Sequence, residues 1–230
     1  MIWAVVPAAG RGLRMGTGIP KQYLQLAGRP ILRHTLDRLL AHPGIARIVV
    51  ALAEGDPHWP ALGLADHPRI LTVAGGGERH ESVHAALRRA LDLGAPGDWA
   101  LVHDAARPCV SAADIDALIR AATAHPVGAL LAAPVRDTMK RAGEDGEVAQ
   151  TVERAGLWHA LTPQMFRLGE LIDALDAVRR DGTAVTDESQ AMERAGRRPL
   201  LVAGSPWNIK VTEPRDRQLA ELLLGLEQAG

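Results

Sequence analysis

The chain has 230 residues, with 26 Lys plus Arg against 27 Asp plus Glu, so its formal net charge is −1. A 47% hydrophobic and 23% charged composition excludes a disordered chain, and the near-zero charge excludes a globally basic nucleic-acid binder. No apolar run approaches the ~18 residues that a membrane helix needs, and the single cysteine, Cys109, cannot form an intrachain disulfide.

The apolar start at 2–6 lacks the positive n-region and long apolar core of a signal peptide. It has the length of a buried strand and runs straight into a glycine loop, as expected of a mature cytoplasmic protein. A helix is expected over 30–41, with Ile31, Leu32, Leu36, Leu39 and Leu40 on one face. Strands at 47–52 and 70–73, a helix at 78–93, a strand at 99–103, a helix at 112–124 and a strand at 127–133 follow. Continuous apolar strands alternating with helices predict an α/β fold, a mostly parallel sheet covered by helices on both faces. At about 134–156 the pattern breaks into a polar hairpin, with strands at 137–141 and 148–152. It has too few apolar residues for a core of its own, so it must pack on something else. Helices at 168–179 and 186–195, a strand at 199–203 and a helix at 213–228 complete a single domain over 1–230. Asp187, with Gln190 three residues on, marks a helix start, and Thr212 is expected to cap the last helix.

Four segments carry chemistry. The first, PAAGRGLRMG at 7–16, is followed by Pro20, Lys21 and Gln22. Its small residues let backbone N–H groups approach an anion, and Arg14 and Lys21 add positive charge, which suits a polyphosphate. The segment lacks the Gly-Lys-Ser/Thr ending of a P-loop. The spacing of Gly10, Gly12 and Gly16 also departs from the dinucleotide fingerprint.

The second segment, GGGERHESV at 75–83, opens a helix. The triple glycine Gly75, Gly76 and Gly77 brings backbone close to a planar ligand, and Ser82 on the first turns could bond a base edge. His80-Glu81-Ser82-Val83-His84 has the zinc-protease spacing, but the extended pattern fails at Leu87 and no third ligand is evident. The third segment, HDAARPCV, puts Asp104 at the carboxyl end of a strand, where open α/β sheets bind ligands and where one carboxylate can hold Mg²⁺ together with substrate phosphates. An ion pair with Arg107 is the plainer alternative, and His103 and Cys109 are expected to be packing residues. In the fourth segment Lys210, between Ile209 and Val211, reads as a directed ammonium.

Eight pieces in order from residue 7 to 214 carry a resemblance: PAAGRGLRMG, PKQY, GGGERHESV, HDAARPCV, AAPVRDTMK, TVERAGLWHALTPQ, TDES and NIKVTEP. The sequence resembles the 2-C-methyl-D-erythritol 4-phosphate cytidylyltransferases of non-mevalonate isoprenoid synthesis. That resemblance implies a Rossmann-like fold of the nucleotide-diphospho-sugar transferase type with a protruding hairpin arm. It implies CTP and methylerythritol phosphate as substrates, Mg²⁺ as cofactor, and a homodimer formed through a swapped arm, with no nucleic acid and no membrane as partner. By position, Ala8, Ala9, Gly10, Gly76, Gly77 and Ser82 would hold CTP. Arg14, Lys21 and Lys210 would act on its phosphates, and Asp104 would take the metal. Arg107, Thr138 and Arg154 would bind the polyol phosphate, the last two from the partner chain. Leu13 and Gly77 stand where some relatives carry Arg and Asp. The first costs a positive charge beside Arg14; the second leaves backbone where others have a side chain.

Overall fold

The computed structural model describes residues 1–10 and 18–228. The first strand, β1 (Ile2–Pro7), is followed by a single 3-10 turn (Lys21–Tyr23) and a two-residue ladder of β2 (Gln25–Leu26) with β3 (Arg29–Pro30). Then come α1 (Ile31–Ala41), β4 (Arg47–Leu52), a second 3-10 turn (Trp59–Leu62), β5 (Ile70–Ala74), α2 (Arg79–Leu91), β6 (Trp99–Val102), α3 (Ala112–Ala124) and β7 (Gly128–Pro134). The hairpin strands β8 (Met139–Ala142) and β9 (Val148–Val152) lead to β10 (Trp158–Arg167), α4 (Leu168–Arg180), α5 (Glu188–Arg194), β11 (Leu200–Ala203) and α6 (Pro214–Gln228).

The seven-stranded sheet has the order β11-β7-β10-β6-β1-β4-β5, parallel except for β10, which runs antiparallel to both β6 and β7. Strand alternation explains why both faces are covered. In β1, Ala4 and Val6 face a core shared with Leu32, Leu36 and Leu39 of α1 and Ile115 and Leu118 of α3. Trp3 and Val5 face the other core, with Val83 and Leu87 of α2 and Leu171 and Leu175 of α4. A smaller cluster of Leu24, Leu26, Ile31, Cys109, Val211 and Leu224 seats α6 against the β2–β3 corner, and Cys109 packs there as expected.

The chain moves from β1 outward through β4 to β5, then returns to lay β6 on the other side of β1. The crevice beyond the carboxyl ends of β1 and β6 is therefore the switch point of the sheet, where open α/β sheets bind ligands. Thr162, at the middle of β10, reaches the same end.

One expectation needs correction, and two elements had none. β10 has no counterpart in the sequence reading. It carries Pro163, which lacks an N–H and argues against a central strand; the ladder accommodates it by breaking register between Ala160 and Gln164. Thr212 does not cap α6 as an acceptor. Its N–H and hydroxyl both donate to Asp216 Oδ2 at 2.8 Å, which also takes the Glu213 N–H at 2.9 Å, so Asp216 is the capping carboxylate. The β2–β3 ladder was also unforeseen. Asp187 does cap α5, accepting the Gln190 N–H at 2.9 Å.

Candidate active site

A cleft of about 260 Å³ opens at the switch point. One wall is the backbone of Ala8, Ala9 and Gly10 after β1, and another is Gly76, Gly77 and Ser82 at the entry to α2. Lys21, Asp104 and Lys210 complete the set of predicted residues that this cleft gathers. Arg14 lies outside the described residues. Arg107 does not line the cleft; it is buried behind Asp104. Thr138 and Arg154 are exposed at the root of the hairpin, and Arg154 donates to the Arg136 carbonyl.

Local chemistry fixes the two backbone walls. Gln22, 4% exposed, donates its amide to the Ala8 carbonyl at 2.6 Å and the Gly10 carbonyl at 3.1 Å, pinning the stem of the first loop. Gly75 packs so tightly that a Cβ there would sit 2.5 Å from the Ala9 Cβ and 2.7 Å from the Ser82 Oγ. A Cβ at Gly76 would meet Glu81 at 2.4 Å, whereas one at Gly77 would be clear of close contact. Gly75 thus serves contact between the two loops, and Gly76 the close approach of its own loop to the first turn of α2. The Ser82 hydroxyl accepts the Gly76 N–H at 3.1 Å, and Glu81 accepts the Glu78 N–H at 3.0 Å to close the first turn of α2. Of the two histidines with zinc-like spacing, His84 is committed elsewhere: it bonds Asp176 at 2.7 Å through Nε2 and accepts from Arg179 at 2.8 Å through Nδ1, tying α2 to α4.

Asp104 is the electrostatic centre. It is 6% exposed, with Arg79 Nε 2.9 Å from Oδ1, Lys210 Nζ 2.9 Å from Oδ2 and Arg107 Nε 3.5 Å from Oδ2. Burial by itself would raise its pKa, but Arg79, Lys210 and Arg107 together hold it well below the usual carboxylate range. Arg107 is kept in place by donating to the Asn208 carbonyl at 2.6 Å. Beneath, the His103 Nε2–H donates to the Arg107 carbonyl at 3.0 Å, while Nδ1 accepts from the Thr162 hydroxyl at 3.0 Å. That hydroxyl in turn accepts the Asp104 N–H at 3.0 Å. Burial drives the His103 pKa down to about 4, so the ring is neutral and its tautomer is set by these bonds. His103 is thus a packing residue with a hydrogen-bonding task.

Two participants escaped the sequence reading. Arg79 lines the cleft and joins Asp104 to Glu188 of α5, which is 1% exposed. Each stands inside a segment singled out above, yet 109 positions separate them, and local spacing says nothing about such a pair.

Asp104 is a single carboxylate facing a cleft with cationic and backbone-donor walls. This donor set fits a Mg²⁺ ion that gains its remaining ligands from substrate phosphates and water. Among the described residues no cluster of three or more His, Cys, Asp or Glu could hold a metal unaided. Likewise, among the described residues no helix is long and apolar enough to cross a membrane.

A mostly parallel sheet with a basic, backbone-walled cleft at its switch point defines the class: a nucleotide-handling α/β protein of the nucleotidyltransferase kind. The sequence model of the 2-C-methyl-D-erythritol 4-phosphate cytidylyltransferase family matches residues 2–226, and the chain belongs to that family of enzymes. It is 52% identical over 225 residues to a protein of that name from Vibrio parahaemolyticus, covering 98% of this chain and 96% of the other. It is 56% identical over 221 residues to one from Shewanella oneidensis, covering 96% and 87%. Among solved structures, a 4-diphosphocytidyl-2C-methyl-D-erythritol synthase superposes with a TM-score of 0.85 at 36% identity, over 97% of this chain and 98% of the other. The Francisella tularensis cytidylyltransferase gives 0.85 at 35%, over 96% and 99%.

Proposed function

We propose that this chain transfers the cytidylyl group of CTP to 2-C-methyl-D-erythritol 4-phosphate, releasing pyrophosphate. One observation carries the proposal: a buried aspartate ringed by Arg79 and Lys210 stands between two backbone loops, with Lys21 in the same cleft. Such a site suits a polyphosphate nucleotide better than a neutral ligand.

The attacking group is a phosphate oxygen of the polyol phosphate, acting in line with the departing pyrophosphate. A phosphomonoester loses its second proton near pH 6, so it is mostly dianionic at neutral pH and needs no general base. That agrees with His103, whose two nitrogens are both engaged in holding the Asp104 loop. The chain's task is to bring two anions together and to offset the charge that builds on the α-phosphate. Lys21, Lys210 and Arg14 are assigned to that charge. The backbone at Ala8, Ala9, Gly10, Gly76 and Gly77, with Ser82, is assigned to the cytidine. Asp104 would hold Mg²⁺, which supplies charge shielding on the phosphates when bound.

Thr138 and Arg154 are assigned to the polyol phosphate; Arg107, buried outside the cleft lining between Asp104 and the Asn208 carbonyl, is assigned instead to holding Asp104 in place. Among the described residues, neither Thr138 nor Arg154 lines the cleft of its own chain, which supports a homodimer whose hairpin arm, at about 134–156, serves the partner's site. The exposure of both faces of β8 and β9 supports the same arrangement. A cytoplasmic location belongs to the same proposal.

The test is pyrophosphate release from CTP with methylerythritol 4-phosphate and ribitol 5-phosphate supplied in turn. Release with the first and background with the second is expected. A preference for the second would assign the same chemistry to another polyol, and release with neither would reduce the chain to a nucleotide-binding module.

A further inference from the structure

Glu188 poses an electrostatic problem. It is 1% exposed, contributes negative charge near a cleft suited to a polyanion, and has no access to solvent. Burying a carboxylate is expensive unless it is paired and hydrogen-bonded. Both of its oxygens are paired, Oε1 with Arg79 Nη1 at 2.6 Å and Oε2 with Nη2 at 3.1 Å. The fork of the Arg79 guanidinium is therefore fully committed to Glu188, and only Nε is left for Asp104 Oδ1 at 2.9 Å.

That division matters because of what a guanidinium does when unopposed. Its fork matches a carboxylate and takes both oxygens at once. Released from Glu188, Arg79 could turn its fork on Asp104 and engage Oδ1 and Oδ2 together. With Glu188 in place, Oδ2 instead faces Lys210 at 2.9 Å, and the Lys210 side chain is 38% exposed at the cleft. A compact, half-solvated ammonium is an exchangeable counter-ion; a bidentate guanidinium is not. The charge balance points the same way. Arg79, Arg107 and Lys210 carry three positive charges against two negative ones on Asp104 and Glu188, and loss of Glu188 would leave a larger positive excess to repel a divalent cation.

We propose that Glu188 is a positioning residue: by occupying the Arg79 fork it keeps Asp104 Oδ2 available for exchange between Lys210 and the metal that accompanies the nucleotide. This rests on Asp104 taking that metal, as proposed above. Glu188 sits at the start of α5 and Arg79 at the start of α2, so the pair also ties the starts of these two helices together beside the cleft.

The test reads metal–nucleotide coupling without turnover. CTP affinity is measured by equilibrium dialysis in Mn²⁺ and in EDTA, with no polyol phosphate, and the coupling is the ratio of the two dissociation constants. Asp104→Asn is expected to bring the ratio close to one. Glu188→Gln is expected to lower it at least about fivefold by weakening CTP binding in Mn²⁺, while the affinity in EDTA holds or tightens with the added positive excess. Glu188→Asp, which keeps the charge but shortens the reach, should fall between. Arg79→Gln combined with Glu188→Gln removes the fork and its counter-charge together, and should recover at least half of the lost coupling on a logarithmic scale. Coupling that stays at the wild-type value in both Glu188 single variants, while Asp104→Asn abolishes it, would make Glu188 a purely structural residue and overturn the proposal. So would a double variant no better than Glu188→Gln. Wild-type coupling in Asp104→Asn would instead defeat the metal assignment itself, and the proposal with it.

Discussion

Replacing Lys210 with Ala should separate stability from catalysis. In the free protein the Lys210 ammonium lies 2.9 Å from Asp104 Oδ2, with its side chain 38% exposed. The bare attraction between unit charges ~4 Å apart is about 4 kcal/mol at an effective dielectric constant near 20. Desolvation and side-chain ordering offset most of this, and partly exposed pairs measure about 1 kcal/mol or less. Asp104 would keep Arg79 at 2.9 Å and Arg107 at 3.5 Å, so no buried charge is orphaned. The fold should therefore lose about 1 kcal/mol, a Tm shift of roughly 2–4 °C for a chain of this size. The loss of turnover should be far larger. A group acting mainly on charge that builds in the transition state is worth about 2.7–4 kcal/mol, or about 10²–10³ in kcat. Steady-state pyrophosphate release gives kcat and the KM for CTP, and differential scanning fluorimetry gives Tm. A change confined to KM would show that Lys210 only holds ground-state CTP. A Tm drop of more than about 10 °C would show that the Asp104 cluster depends on this ammonium far more than its exposure implies.

Lys21→Ala should behave likewise, with kcat falling about 10²-fold and KM for CTP changing little; equal effects on both would indicate a binding role alone. Asp104→Asn should raise the Mg²⁺ concentration for half-maximal rate about tenfold or more, and an unchanged titration would make Asp104 structural. Asp104 titrates below the usual carboxylate range in the folded state, so its stabilising effect is present above about pH 4 and fades as pH falls further; the acid limb of the wild-type Tm curve should be steeper there than that of Asp104→Asn. His103 has its pKa depressed from 6.5 to about 4, so its contribution is complete above 6.5 and lost as pH falls toward 4. His103→Gln should flatten the Tm curve across that window, and an unaltered slope would mean that His103 is not the group responsible. Refolding a mixture of Lys210→Ala and Arg154→Ala chains should restore about a quarter of wild-type sites if the arm serves the partner, because each mixed dimer then has one intact site. Mixed dimers confirmed by mass but inactive would refute the shared site.

The fold was legible wherever one strand's alternation or one helix's stripe carried the signal. Trp3 and Val5 against Ala4 and Val6 is such a case, since both faces are apolar and only a doubly covered sheet accepts that. β10 was not legible, because Pro163 stands in the middle of it and the register break that tolerates it depends on its partner β7. At the site, Asp104, Lys21 and Lys210 could be proposed from their settings at strand ends and loops. Arg79 and Glu188 could not, because their reason to exist is each other. Asp216 was overlooked for a related reason: Thr212 is the better capping residue by type, but Pro214 sets where α6 begins and moves the acceptor to the third helical position. Gly75 and Gly76 were foreseen as small but for a different guest, since the atoms they make room for belong to Ala9, Ser82 and Glu81.

The hairpin leaves and rejoins the body on neighbouring strands. Pro134 of β7 is paired with Trp158 of β10, and the Val135 N–H donates to the Leu157 carbonyl at 3.0 Å. The arm is thus a cantilever whose two roots are clamped side by side before it begins. Loop-closure entropy is governed by how far apart the ends must be gathered, and here the sheet has already gathered them; even doubling the intervening length would cost only about 0.6 kcal/mol. The arm can accordingly be lengthened, shortened or exchanged for a tight turn while β7 and β10 stay in register. A version trimmed to such a turn should fold as a compact unit with its cleft walls intact, having shed Thr138 and Arg154 as a detachable module.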